Sequence, residues 1–320
     1  MTTTIFDRIR ASCAAVASVS THVRVDESAI APFAARLDLD LPPNDPGQQP
    51  IGNAESTAAF VLTLDAVNFG SGYFPHLRKR PGHSGYHTVA ASLRDWVEAN
   101  GTITTAELAS NTVDEWAVVF GQELDGSPAQ ELMELFTLAL ADLAEFVDRR
   151  ADGAFVGVIE AADGSAAALA ESLTAMPFYR DLHDHPVVGP ISLYKRAQIT
   201  VQDLAVAFDG AELGRFDDLD QLTMFADNLV PHVLRLNGVL IFSDELLTRI
   251  EAVENIPVGS SAELEIRACG VHAVELLAAT VRETRRPDLT IGSLDNLLWN
   301  LGAEAAYKAV PRHRSRCVFY

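Results

Sequence analysis

Residues 128–149, PAQELMELFTLALADLAEFVDR, repeat their apolar side chains at the spacing of an α-helix, and segments of this kind recur along the chain. Leu132, Leu135, Phe136, Ala139, Leu143 and Phe146 fall on one broad stripe with acidic residues opposite, so this segment has one face to bury against its neighbours. Pro128 suits the first turn, where its missing amide hydrogen leaves no bond unmade. Further helices are expected near 5–18, 26–37, 87–99, 104–120, 165–175, 190–208, 243–253, 261–283 and 293–306. Ser260 and Glu263 stand at capping-box spacing before one of them, and Asp209-Gly210 is a normal stop for another. Strand signals are weak: AFVLTLDAVNF (59–69) alternates briefly but suits a buried helix equally well. Residues 39–56, with four prolines and two glycines, and residues 181–190 read as loops. The expectation is an all-α chain of two helical lobes with a cleft. Residues 1–57 would supply N-terminal helices and a linker to the same fold, and residues 58–320 the main domain.

Charge narrows the function. Lys and Arg number 24 against 44 acids, a net charge of −20, which opposes binding of a nucleic-acid polymer through its phosphates. One small phosphorylated ligand remains possible, because it needs only a local cluster of donors. No run approaches the length of a membrane span. Asp7, Arg8 and Arg10 interrupt what would have to be the apolar core of a signal peptide, so the N-terminus is expected to be a helix. Three cysteines, odd in number and far apart, suggest a reducing, cytoplasmic setting.

Within LTMFADNLVPHVLRLNGVL (222–240), Asp227 stands in an otherwise apolar run. Pro231, four residues on, cannot donate to the Asp227 carbonyl, and it pushes Val230 out of helical geometry. A helix through Asp227 should therefore break just after it, and a second should begin at Pro231. A carboxylate lined by Met224, Phe225, Leu229 and Val230 has a half-apolar setting that raises its pKa. Capping the second helix, or pairing with Arg235, would explain it without any function.

Other segments offer fewer constraints. Residues 64–88 are rich in Gly and aromatic residues and hold His76, His83 and His87, but no Glu follows in a zinc-protease arrangement, and no metal is expected. Lys195 and Arg196 lie beside an apolar helix face and either could meet a phosphate; Lys195 is the first choice and the arginines of the C-terminal PRHRSRCVFY are alternatives. The Val-Phe-Tyr finish argues that this end docks on the fold. Ser293 reads as the cap of the 293–306 helix, with Asp295 in its first turn. Phosphate loops, dinucleotide fingerprints and nucleophile elbows are absent, so no cofactor is expected.

TLDAVNFGSGYFP, KRAQITVQDL, LTMFADNLVPHVLRLNGVL, AELEIRACGVHAVELL and PRHRSRCVFY, in this order, resemble the queuosine salvage family of queuosine 5′-monophosphate N-glycosylases. The resemblance runs from about residue 58 to the end. It implies an all-helical fold similar to helix-hairpin-helix DNA glycosylases, and hydrolysis of the N-glycosidic bond to release queuine for tRNA. It implies that Asp227 is catalytic, that Phe225 lines the base pocket and that Asp295 binds substrate. Asn68, leading into Gly-Ser-Gly, and His232 join Lys195 as candidate substrate contacts. Asn228 and His232 stand where members often carry Tyr and Gln, and the Gly-Ser-Gly replaces a more aromatic form. A glycosylase acting on intact DNA or tRNA, and a non-catalytic queuine-binding protein, are the alternatives; neither stable nucleic-acid binding nor membrane attachment is expected.

Overall fold

The computed structural model describes residues 3–42 and 45–320. Helices carry most of the ordered backbone; the strands among the described residues form two short antiparallel pairs. No described helix is long and apolar enough to cross a membrane. The chain divides into two compact units interleaved in sequence. One comprises Met1–Pro43, Asp181–Lys195 and Asp220–Arg316, and the other Asn44–Arg180, Arg196–Leu219 and Cys317–Tyr320.

The first unit is built around the helix Ser261–Thr284, whose residues from Ala262 to Val271 are all buried. Helices Ile5–Val19, Ile30–Arg36, Val230–Leu236 and Ile291–Gly302 pack on it, as do the paired strands Val23–Val25 and Leu240–Phe242. A helix buried all round is normally apolar throughout, yet Glu263, Glu265 and Arg267 lie in its first two turns. Glu265 has a local reason. Its Oε2 accepts the backbone N–H groups of Thr21, His22 and Val23 at 2.9, 2.6 and 3.1 Å, satisfying donors at the start of the first strand.

In the second unit, helices Ala54–Ala66 and Pro128–Ala151 form the core, with Thr105–Ser110, Val113–Val119 and Phe155–Glu160 against them. The C-terminal residues dock as their composition suggests: Tyr320 is buried, and its main-chain oxygen accepts the N–H of Gly70 at 2.9 Å. Gly70 has φ +95° and a Cβ there would lie 2.5 Å from Leu132, so no larger residue fits this contact.

Several local expectations are corrected. The 104–120 helix is two helices, because Asn111 is extended and Thr112 starts a second capping box with Glu115, following that of Thr104 and Glu107. Residues 181–190 are not a loop alone: Leu182–His185 pairs with Gly189–Ser192 as a hairpin. The helix expected from 190 therefore begins only at Lys195, after Tyr194 at φ +45°. The last long helix begins at Ile291 with Thr290, not Ser293, as its cap. The ambiguous 59–69 segment resolves as part of the helix Ala54–Ala66.

Candidate active site

Asp227 does not sit on a helix. Residues 222–227 have neither helical nor strand structure, and the helix Val230–Leu236 begins three residues later with Pro231 in its first turn. The sequence argument from Pro231 places the start of that helix within one residue, but Val230, expected outside helical geometry, is its first residue, because a proline fits the first helical turn, and residues 222–227 form no helix. Asp227 Oδ1 accepts the N–H groups of Leu229 at 2.8 Å and Val230 at 3.0 Å, two donors that a helix start leaves without intrahelical partners. This is the capping role weighed above. It occupies one oxygen; Oδ2 receives no hydrogen bond among the described residues. Arg235 turns instead to His232 Nδ1 and the Pro311 carbonyl.

Residues 222–227 form a strap that is held on both sides. Asp295, on the helix Ile291–Gly302, accepts the Phe225 N–H at 2.9 Å through Oδ1. Arg267, from the central helix, donates through Nε to the Ala226 carbonyl at 2.9 Å. Asn228 Nδ2 reaches the His313 carbonyl at 3.4 Å. Leu229 lies against Gly302, where a Cβ would come within 2.7 Å of its side chain, so glycine allows the strap to approach the Asp295 helix.

The electrostatics follow from burial and from four nearby charges. Burial raises the Asp227 carboxyl above its ordinary range, while the Val230 amide, the Lys195 charge, the Leu229 amide and Arg312 pull it back. Asp295, almost fully buried, is raised well above the ordinary range, first by burial and then by the Asp227 charge; the Phe225 amide and Lys195 offset this in part. The pair thus titrates apart, with Asp227 the more readily ionised and Asp295 the more readily protonated. Lys195 is itself buried, as expected of a cation kept for a specific contact rather than for solubility. Arg312 is brought to Asp227 because the following residues are pinned: Ile256 donates its N–H to the Arg314 carbonyl at 2.8 Å, and Ser315 Oγ bonds the Ile256 carbonyl at 2.7 Å.

Of the anticipated residues, Phe225, Asp227, Asp295, Lys195 and His232 belong to the first unit, and the first four share this site. His232 does not offer its ring outward. Its Nε2 donates to the Tyr307 carbonyl at 3.0 Å and Nδ1 accepts from Arg235 at 3.1 Å, while burial pushes its pKa down to about 4. Asn68 lies in the second unit, its side-chain amide bonded to Asp65 at 3.2 Å. Arg196 is buried there, its guanidinium donating to the carbonyls of Asp65, Ala66, Phe178 and Val318 and stacked near Phe69 and Tyr179. That removes it as the phosphate alternative to Lys195. Among the described residues no group of three His, Cys, Asp or Glu side chains is placed to hold a metal ion. His87 is taken by Asp45 and Ser84, and His83 by the Pro81 carbonyl. Sequence reasoning missed Arg267 and Asp181, though three charges in the apolar AELEIRAC segment were a visible signal.

A protein of Sphaerobacter thermophilus named queuosine 5′-phosphate N-glycosylase/hydrolase is 38% identical over 271 residues, covering 83% of this chain and 82% of its own length. Proteins of the same name from Dictyostelium discoideum and Bos taurus are 33% and 30% identical, covering 83% and 85% of this chain and 79% and 84% of their own. The model of the queuosine salvage protein family matches residues 48–320, which include every residue of the strap and its supports. The chain belongs to the queuosine salvage protein family.

Proposed function

We propose that this protein hydrolyses the N-glycosidic bond of queuosine 5′-monophosphate, releasing the 7-deazaguanine base queuine. The observation that carries the reading is a half-buried aspartate with one oxygen anchored on backbone amides and the other without a bond among the described residues, in a chain of this family. As the bond to the base stretches, positive charge develops at C1′ of the ribose. Asp227, whose ionised form is favoured by its two amides and by Lys195 and Arg312, stabilises that charge and orients the attacking water. The C1′–N bond breaks with its electron pair leaving on the base, which is protonated from solvent, and Asp227 accepts a proton from the water as the C1′–O bond forms. Met224, Phe225 and Leu229, which flank Asp227 in the chain, are all buried, and an apolar surround of that kind weakens competition from solvent.

The base side follows from its chemistry. A 7-deazaguanine lacks the ring nitrogen on which purine leaving groups are commonly protonated, so stabilisation falls on the sugar, and hydrogen bonds to the guanine-like edge serve to recognise and orient the base. Asp295, with Oδ1 on the Phe225 amide, accepts the N–H donors of that edge through its second oxygen, and those donors draw it toward its ionised form. Phe225 packs on the base. The 5′-phosphate is met by Lys195, with Arg312 as the second cation of the same site. His232 and Asn68 remain candidate substrate contacts; each would have to exchange a present bond to reach substrate.

The test is mass-spectrometric detection of queuine and ribose 5-phosphate on incubation with queuosine 5′-monophosphate, with queuosine and intact queuosine-containing tRNA in parallel. Turnover of the mononucleotide in strong preference to intact tRNA is the expected result, in keeping with the net charge of −20, which opposes the polyanion most. Turnover of intact tRNA at a comparable rate would make the protein a polymer glycosylase. Tight binding without product would make it a carrier.

A further inference from the structure

We propose that Arg267 is a positioning residue for Asp227: anchored on Asp181 and Glu263, it holds the Ala226 carbonyl and so fixes where the next residue's carboxylate points. The inference rests on the role given to Asp227 above. Arg267 is completely buried in the Ser261–Thr284 helix. Its Nη1 donates to Asp181 Oδ1 at 3.1 Å and to Glu263 Oε1 at 3.3 Å, and its Nη2 to Asp181 Oδ2. The two acids are held in turn. His183 Nε2 lies 2.8 Å from Asp181 Oδ1, and Glu263 Oε2 accepts the Gly259 N–H at 3.0 Å. The remaining face of the fork, Nε, points at Ala226.

A buried ion cluster of this kind is a weak stabiliser, because desolvation of the charges offsets much of their attraction. Stability alone therefore gives little reason for a guanidinium in the buried first turns of this helix. The strap gives a better one. Residues 222–227 lack the regular hydrogen-bond ladder that fixes a helix or strand, so their course depends on side chains reaching in from elsewhere. Asp295 takes the Phe225 N–H, Arg267 takes the Ala226 carbonyl, and the helix-start amides take Asp227 Oδ1. Three consecutive residues are thus pinned from three elements, which restrains both the backbone and the carboxylate. A planar fork can hold Asp181 with one edge and a carbonyl with another; an ammonium cannot satisfy both geometries.

The experiment compares full-length wild type with Arg267→Lys and Asp181→Asn by thermal melting, kcat and KM for queuosine 5′-monophosphate. Arg267→Lys keeps the buried positive charge and loses the directed bond to Ala226. The expected result is a folded protein with KM within about twofold of wild type and kcat lower by about ten- to a hundredfold, the scale of a misplacement near 1 Å. Asp181→Asn, which keeps a hydrogen-bond acceptor but loosens the anchor, should lower kcat less with KM held. If Arg267→Lys does not fold, Asp181→Asn decides alone, on the same division between kcat and KM. Unchanged kcat, or a loss that disappears on normalising to the folded fraction, would overturn the role. A wild type without turnover would instead remove the reaction, and this role with it.

Discussion

Replacing Asp227 with Asn separates charge from shape. The amide oxygen can still accept the Leu229 and Val230 N–H groups, so the start of the Val230–Leu236 helix keeps its partners. What disappears is the negative charge beside C1′. A full charge about 3.5 Å from a full positive centre is worth about 5 kcal/mol at an effective dielectric near 20, or about 3 kcal/mol when roughly two thirds of the charge has developed. Those values correspond to a fall in kcat of about two to three and a half orders of magnitude. Folding should change little, because removing a carboxyl that burial already disfavours offsets the weaker bonds to the two amides. Single-turnover kinetics would read the chemical step, and queuine binding by calorimetry would show that the base pocket is intact. A folded Asn variant within fivefold of wild-type kcat would refute an electrostatic role for Asp227 and leave it as a helix cap.

Lys195→Ala should lower kcat/KM for the 5′-monophosphate by about ten- to a hundredfold, the scale of one charge-assisted contact, and for the unphosphorylated nucleoside far less; equal losses would place the phosphate elsewhere, and Arg312→Ala in the same comparison would find it. Asp295→Asn should raise the melting temperature near neutral pH while reducing kcat/KM, since the raised carboxyl favours the folded state only when protonated, and that stability is lost as pH rises through its folded pKa. A gain of about 2–4 °C is expected per kcal/mol recovered in units of this size, and a lower melting temperature would count against the assignment. Because Asp295 must be ionised to accept the base's N–H groups, kcat/KM should fall with decreasing pH through a limb lying above the ordinary carboxylate range. The corresponding limb in kcat should lie lower, and Lys195→Ala, by removing a charge that holds both carboxyls down, should shift the kcat/KM limb upward.

Asp227 was visible in the sequence because two local rules met there. A carboxylate in an apolar run calls for a reason, and Pro231 dictates where the following helix can begin. Asp295 was less distinct, since an acid in a first helical turn is ordinary; its strong desolvation appears only when Phe225 and Asp227 are brought to it from about 70 residues away. Lys195 and Arg196 were indistinguishable as neighbours. Their fates diverge because a helix turns successive residues in different directions: Arg196 is consumed by four carbonyls and two aromatic rings, while the charge of Lys195 reaches the two carboxyls. The 181–190 hairpin was missed because a four-residue strand containing two histidines and an aspartate carries no alternation strong enough to read.

Helical class, most helix starts and the exceptional character of Asp227 were therefore determined by the sequence itself, because capping boxes, proline and 3.6-residue periodicity act over a few residues of chain. The tertiary structure decided which cations and which second carboxylate share the site, and that Arg267 and Asp181 support it. Those relations join residues 32 to 100 positions apart, and burial, which sets their charges and hydrogen bonds, exists only once the helices have packed.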